Sequence, residues 1–361
     1  MSVENSAFSR RGSLEYSPKE AHSAKPRVVV ALSGGVDSSV TAALLKQQGY
    51  EVAGVTLRMW EGTNTEDASR VAEALGIPFE VLEAGGKFRH QVVEPFIEAY
   101  RRGRTPNPCI LCNRFLKFGL LLDYARAQQA LLATGHYARL VPTPAGMRLY
   151  KANSAKDQSY FLFSLQEAQL QHLLFPLGDY SKSRIRRLAK AHGLETASKP
   201  DSMEVCFIPT SYTAFLEAEG LHMPAGDIVD ASGKVLGRHA GLHRFTVGQR
   251  RGLGNLGKST PQHVLRLDAA HNRLVVGEKA EVFTQRFALE APSWVAGMPP
   301  VNRRLRICIR HRHAGVMGHL REEAGGFWVE LEEAAAAVSP GQAAVFYEEE
   351  EVLGGGWIVC P

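Results

Sequence analysis

Three cysteines and one glycine-serine loop carry the residue types and spacings that could do chemistry in this sequence. Cys109 and Cys112 form a Cys-x-x-Cys inside GRTPNPCILCN, residues 103–113. Two prolines and a glycine force a loop there, and Pro108 is placed to begin a helix. Cys112 then falls in or near the first turn, where the helix dipole lowers a thiol's pKa and favours the reactive thiolate, with Arg104 and Arg114 placed to help. Cys206 is flanked by apolar residues and also reads as a buried strand cysteine. It meets Cys112 only if the fold brings the two together. The second stretch is VVVALSGGVDSS, residues 28–39: a buried strand, a Ser33-Gly34-Gly35 turn, and a helix from about residue 37 to 48. Gly34 and Gly35 let the backbone approach an anion, the first free helix amides point at it, and Ser33, Ser38 and Ser39 add hydroxyls. Asp37 repels phosphate, so its expected partner is a Mg2+ ion bound to the phosphates. No Gly-Lys-Ser/Thr follows, and the glycines are not spaced as a dinucleotide fingerprint.

The elements that must position these residues follow from the pattern around them. The chain has 361 residues, 45% hydrophobic and 22% charged, with a net charge of +5. That is the composition of a globular protein of two or three domains, and its charge permits a polyanionic partner. No apolar run reaches transmembrane length, the first 26 residues hold no signal-peptide core and read as a disordered tail, and the cysteines form no secreted disulfide framework. A cytoplasmic protein is expected. Apolar runs at 28–32, 51–60, 77–82 and 130–134 alternate with helical patterns at 66–75 and 88–100. The expectation is an α/β fold, a parallel sheet with helices on both faces and ligands at the carboxyl ends of the strands. Ser33 to Ser38 lie at such an end, Leu57 is placed to line an adenine pocket, and Gly135 permits close approach of a nucleotide. His136 reads equally as a substrate contact or a structural residue. The run 149–151 is expected to continue this sheet, with Lys156-Asp157-Gln158 in a polar loop after it. Helices follow at 165–171 and 183–192, the second basic enough to suit a phosphate backbone. From about residue 221, short β runs between turns read as a small antiparallel barrel. It carries a basic glycine loop from Gly248 to Gly254 and a basic strand end at Arg310–His313, with Cys308 and Cys360 in its core. The expected division is a tail 1–26, a nucleotide domain 27–163, a small central domain 164–220 and a C-terminal barrel 221–361.

Ser-Gly-Gly-Val-Asp-Ser resembles the pyrophosphate loop of ATP-pyrophosphatases, which adenylate a substrate and release pyrophosphate. The ordered set SGGVDSS, GRTPNPC..CN, ATGHYAR, KDQSYFL, FPLG, DS..VCFI, TVGQR.GLG and SPGQAAVFY resembles bacterial and organellar tRNA-specific 2-thiouridylases from about residue 27 to 347. The resemblance implies ATP binding at Ala31, Leu32, Ser33, Gly34, Gly35, Val36, Asp37, Ser38, Leu57 and Gly135. It implies contact with the target base at Asn107, Pro108 and Cys109. Contacts to tRNA are implied at His136, Lys156, Asp157, Gln158, Arg310, His311 and Gln342. Cys112 matches the nucleophile and Cys206 the persulfide carrier, which end each cycle as a disulfide. The implied cofactors are ATP and Mg2+. The implied partners are tRNAs for Lys, Glu and Gln and a protein that supplies persulfide sulfur, with no DNA and no membrane.

The sequence departs from this family at Cys109, where many members carry an aspartate proposed as general acid/base. The segment after Trp60 is also short for the family. Three thiolates at Cys109, Cys112 and Cys206 suit a [4Fe–4S] cluster with one open iron, so a cluster that delivers sulfur stands beside the persulfide route. A structural zinc lacks an evident fourth ligand. Two other classes stay in view. An ATP-pyrophosphatase acting on a small substrate, such as a GMP synthetase or argininosuccinate synthase, would need neither the Cys-x-x-Cys nor the barrel. A non-catalytic RNA-binding module leaves the loop and the thiols unexplained.

Overall fold

Strand β1 (Arg27–Ala31) holds Val28, Val29 and Val30, each at most 1% exposed. Such a run is stable only as a central strand covered on both faces. The computed structural model describes residues 25–200, 205–208, 210–323 and 325–359. The expected N-terminal tail, apart from Lys25 and Pro26, and Cys360 lie outside the described residues. Around β1 run β2 (Glu51–Arg58), β3 (Phe79–Glu83) and β4 (Leu131–Ala133). The hairpin β5 (Ala138–Thr143) and β6 (Gly146–Lys151) and the two-residue β7 (Leu173–Leu174) follow. The sheet order is β3-β2-β1-β4-β7, every pair parallel. Strand order reverses between β1 and β4, which puts the ligand-binding crevice of such sheets at their carboxyl ends.

Side chains alternate across the sheet and divide its two cores. Val28 and Val30 pack with helix α1 (Val36–Gln47), helix α2 (Glu66–Leu75) and a later basic helix. Val29, Val55 and Leu57 pack on the other face with two long helices, α3 over 85–101 and α4 over 108–127. Pro108 is at the first helical position of α4, as its fixed φ favours. Both long helices contain a widened π-type stretch, Arg89–Val93 in α3 and Asn113–Leu120 in α4. The basic helix is α5 (Lys182–Ala191), capped by Ser181, and α6 (Tyr212–Ala218) is capped by Ser211.

The expected single barrel is two β-units. Strands β8 (Gly226–Val229), β9 (Val235–His239), β10 (His263–Asp268) and β11 (Arg273–Gly277) form a four-stranded sheet with one parallel pair, β11 with β8. A closed six-stranded antiparallel barrel follows. Its strands are β12 (Phe283–Trp294), β13 (Arg304–Cys308), β14 (Val316–Glu323), β15 (Gly326–Ala336), β16 (Ala343–Glu348) and β17 (Glu351–Val359), with β12 closing on β17. Cys308 is buried, as expected. The expectation that 149–151 extends the nucleotide sheet is corrected. Strand β6 pairs with β5 and, through Tyr150 opposite Glu351, with β17 of the barrel. Gly178 has no room for a side chain against the Ala138 carbonyl, so the hairpin leans on the segment after β7 while it joins the barrel edge.

The loop that leads into α4 is held by both β-units. The Thr105 amide donates to the Pro340 carbonyl at 2.8 Å and the Gln342 side-chain amide donates to the Thr105 carbonyl at 2.9 Å. Arg104 pairs with Glu290 on β12, and Thr105 Oγ1 lies 3.4 Å from Thr246 Oγ1. The cysteine-bearing helix therefore starts from a point fixed by three parts of the chain.

Candidate active site

The turn after β1 is built around its own hydroxyls. Ser38 Oγ accepts from the Ser33 amide at 3.1 Å and donates to the Gly35 carbonyl at 3.0 Å, and Ser39 Oγ donates to the same carbonyl at 2.8 Å. Gly34 has φ +69°, and a Cβ there would lie 2.6 Å from Asp67 Cβ, so the turn admits glycine alone on both counts. Gly35 caps α1 in an extended conformation, leaving Val36 and Asp37 in the first turn with their amides forward. Leu32, Val36 and Ser38 are buried beneath this turn, Ala31 is half-buried, and Leu57 is buried at the end of β2.

Asp37 is committed in this structure. Its carboxylate accepts from Tyr137 Oη at 2.7 Å and from Lys182 Nζ at 2.8 and 2.7 Å. Both of its oxygens thus carry a cation already, and Asp37 does not present the open ligand that the sequence expectation of a metal site needs. A second lysine stands on the other side of the turn. Lys199 Nζ donates to the Gly34 carbonyl at 3.1 Å and pairs with Asp67. The hydrogen bond from Lys199 is the main reason that the Asp67 carboxyl lies below the usual carboxylate range. Sequence reading assigned Lys182, with its basic helix, to a phosphate backbone rather than to Asp37, and missed Lys199, which stands alone in ETASKPDS.

The loop after β4 reaches in two directions. A Cβ on Gly135 would lie 2.9 Å from both Asp37 C and Ser38 N, so this backbone is pressed against the start of α1. The next residue, His136, is buried with its ring between Phe118 and Phe175. Its Nδ1 is 2.7 Å from Thr134 Oγ1 and its Nε2 is 3.5 Å from Lys117 Nζ. An ammonium has donors and no acceptor, so Lys117 donates to Nε2 and the ring proton sits on Nδ1, donating to Thr134. Burial first, and the Lys117 charge second, hold the His136 imidazole well below its ordinary value. The folded protein keeps this ring neutral while the unfolded chain takes up a proton below about pH 6.5. Its contribution to stability is therefore complete above that pH and is lost as the pH falls, by up to about 1.4 kcal/mol per pH unit. Urea unfolding at pH 7.5 and 5.5 is expected to show a smaller acid loss for His136→Gln than for the parent protein.

The three thiols share Lys117. Cys112 is buried at 8% exposure, with its Sγ 3.9 Å from Met59 Sδ, while Cys109 and Cys206 reach solvent. All are free thiols. Burial pushes all three up, Cys112 to about 12, and the Lys117 charge pulls each the other way. Cys206 also acts on Cys112, and Cys109 on both, which places the three in one electrostatic neighbourhood. Cys206 stands in a turn held by Phe207, whose ring packs at 5.4, 5.5 and 5.2 Å against Phe88, Phe96 and Phe215. The expected lowering of the Cys112 pKa by the helix dipole is thus overturned by desolvation. Arg104 is spent on Glu290 and Arg114 lies over Phe115 at 5.2 Å. Lys117 was hidden in FLKF, inside the apolar face of α4. Among the described residues no group of three or more His, Cys, Asp or Glu stands where it could hold a metal ion. The donor set at Cys109, Cys112 and Cys206 therefore does not fit an iron–sulfur cluster in this arrangement.

The remaining sequence-selected residues divide by what their side chains touch. Asp157 accepts from the Ala152 amide at 2.8 Å and from Ser159 Oγ at 2.9 Å, and Gln158 accepts from the Tyr137 amide at 3.0 Å. Asp157 therefore braces its own loop after β6, and Gln158 ties that loop to the backbone next to His136. Lys156 is exposed beside them. His311 lies with its ring 4.4 Å from Phe161 and its Nε2 3.4 Å from the Asp157 carbonyl, and Arg310 donates to the Ala336 carbonyl at 3.1 Å. Gln342 holds the Thr105 carbonyl, as above. Asn107 precedes α4, half-buried, and Pro108 is buried.

Comparison with known proteins adds three family models and close relatives. Residues 26–210 match the tRNA methyl transferase HUP domain, 213–278 the tRNA methyl transferase PRC-barrel domain, and 284–358 the Aminomethyltransferase beta-barrel domain. A protein of Trichlorobacter lovleyi named tRNA-specific 2-thiouridylase MnmA is 48% identical over 344 residues, covering 92% of this chain and 97% of its own length. Proteins of the same name from Syntrophotalea carbinolica and Acidithiobacillus ferrooxidans are 47% and 44% identical, covering 92% and 93% of this chain and 98% and 99% of their own lengths.

Proposed function

This chain belongs to the tRNA-specific 2-thiouridylase family, and on that premise we propose that it uses ATP and Mg2+ to replace the C2 oxygen of the tRNA wobble uridine with sulfur carried on Cys206. The observation that carries this reading is the pair Gly135-His136. Gly135 is packed on the start of α1, behind the anion-binding turn, and His136 is bonded to the lysine shared by the three thiols. The loop after β4 thus runs from the turn that would hold the activated base to the lysine that acts on the thiols.

The chemistry follows from the poor leaving ability of a uracil oxygen. The C2 oxygen attacks the α-phosphorus of ATP as N3 gives up its proton. The new O–P bond replaces the α–β anhydride, and pyrophosphate leaves with the electron pair. The Ser33–Ser38 turn and the forward amides of α1 suit the departing pyrophosphate. Bound Mg2+ supplies further neutralisation of phosphate charge. The terminal sulfur of a Cys206 persulfide attacks C2 and expels AMP. Cys112 then attacks Cys206 Sγ, the S–S bond breaks with its electrons on the sulfur joined to C2, and a Cys112–Cys206 disulfide remains for an external thiol to reduce. The exposed Lys156 and Arg310 and the half-buried His311 are assigned to the tRNA, with Asn107 to Cys109 facing the target base, which must leave its stack to arrive there. A persulfide-bearing donor protein in the cytoplasm would reload Cys206.

The test is incubation with unmodified tRNA, ATP, Mg2+ and a persulfide donor without oxygen, followed by nucleoside mass spectrometry. The expected result is 2-thiouridine with matching AMP and pyrophosphate. Pyrophosphate exchange that ignores tRNA would instead place the chain with small-substrate ATP-pyrophosphatases. Cys109→Asp is expected to keep sulfur transfer in iron-free protein, because the persulfide route asks nothing of a third thiolate.

A further inference from the structure

We propose that Lys117 is the fixed cation of the sulfur-transfer centre, held on His136 so that its ammonium stabilises the anionic sulfur at Cys206 and Cys112. The role rests on the thiolation reading above and gives it a residue that the motifs did not supply.

The backbone explains how a lysine from an apolar helix face arrives there. Residues five apart in an α-helix point about 140° away from each other. Lys117 is five residues after Cys112, and the intervening segment Asn113–Leu120 is a π-type stretch. Its wider turn brings residue i+5 back toward the side of residue i. Cys109 and Cys112, three apart, already share a side. Lys117 itself is half-buried. The head is aimed by a neutral ring: Nε2 of His136 accepts from it, and Thr134 holds Nδ1 on the far side. The titratable groups facing the ammonium are this imidazole and the thiols of Cys109, Cys112 and Cys206.

The chemistry needs such a charge. Each step of the transfer has anionic sulfur at one end: the persulfide attacks as an anion, Cys112 attacks as a thiolate, and the base-bound sulfur leaves the disulfide as an anion. Burial opposes each of these charges. A lysine fixed beside them lowers that cost without carrying a proton away, and the neutral His136 fixes it without neutralising it.

The test is the pH dependence of Cys206 alkylation by iodoacetamide, read by mass spectrometry of the tryptic peptide, in parent protein and in Lys117→Met and Lys117→Arg. The Lys117 charge pulls the Cys206 thiol down, so the thiolate fraction at neutral pH is expected to fall by about twofold to tenfold in Lys117→Met. The alkylation midpoint moves to higher pH, and Lys117→Arg restores it. An unchanged midpoint in Lys117→Met, at parental melting temperature, overturns the assignment. The parent protein supplies a second measurement that needs no variant. A fixed cation favours the anionic reagent iodoacetate over neutral iodoacetamide at Cys206, relative to free glutathione. A ratio no higher than that of glutathione overturns the assignment as well. Neither readout uses ATP or tRNA, so the ionisation result stands or falls apart from the formation of 2-thiouridine.

Discussion

Cys112→Ser is expected to stop the reaction with the tRNA covalently attached to the enzyme. The persulfide on Cys206 can still displace AMP, which leaves a Cys206–S–S–C2 link. No thiol remains at residue 112 to open it. Under denaturing electrophoresis the tRNA then migrates with the protein, and dithiothreitol releases it as 2-thiouridine-containing tRNA. Cys206→Ser is expected to give no such adduct, since no sulfur is loaded. Both variants lose multiple-turnover thiolation by more than about 10³-fold, as removal of an attacking group does elsewhere. The difference between them carries the argument. Cys206 reaches solvent, where a donor protein can load it, while Cys112 is buried and its thiol is pushed up to about 12. A thiol of that kind is almost wholly protonated at neutral pH. Burial disfavours its thiolate, which slows attack on the freshly loaded persulfide before a base arrives. If Cys112→Ser forms 2-thiouridine over many turnovers, or gives no dithiothreitol-sensitive adduct, the division of labour between the two cysteines is wrong.

The residues of this site were legible in the sequence to the extent that their chemistry is local. SGGVDSS follows a run of valines and precedes a helix, so its turn, its glycines and the parallel sheet around it follow from spacing alone. Cys206 could not be placed in that way. Its approach to Cys112 is made by Phe207, whose ring is locked among Phe88, Phe96 and Phe215 from two different helices. The direction of the Cys112 shift was misread because a helix dipole is visible in sequence and desolvation is not. Lys117 was overlooked because a lysine between Leu116 and Phe118 reads as a break in an apolar face, and only a widened helical turn gives it another use. Asp37 shows the same limit. Its position in the turn suggests a metal, yet Lys182 arrives from a distant helix to take both oxygens. Residues 149–151 looked like more of the nucleotide sheet because adjacency in sequence is the default for strands, and the pairing of Tyr150 with Glu351 is a long-range event.

Gly135→Ala is expected to disable the ATP step while leaving the thiols intact. The added methyl would lie 2.9 Å from Asp37 C and Ser38 N. Both are backbone atoms of the first turn of α1, so no side-chain rotation relieves the contact, and either the helix start or the loop after β4 must shift by a few tenths of an ångström. The amides that would face pyrophosphate move with the first, and His136 with the second. Small displacements of a reacting geometry cost on the order of 10²-fold in rate. Pyrophosphate release in the presence of tRNA is expected to fall by about that factor, with weaker ATP binding by calorimetry. Iodoacetamide is expected still to label Cys206 and Cys109. The matched control is Gly86→Ala in α3, where a Cβ meets nothing within 4 Å. It is expected to leave ATP binding unchanged and to raise stability by about 0.4–1 kcal/mol through the entropy of the unfolded chain. If Gly135→Ala releases pyrophosphate as fast as the control, the contact between the loop and α1 does not set the nucleotide geometry, and the link from the turn to the thiols through Gly135-His136 loses its basis.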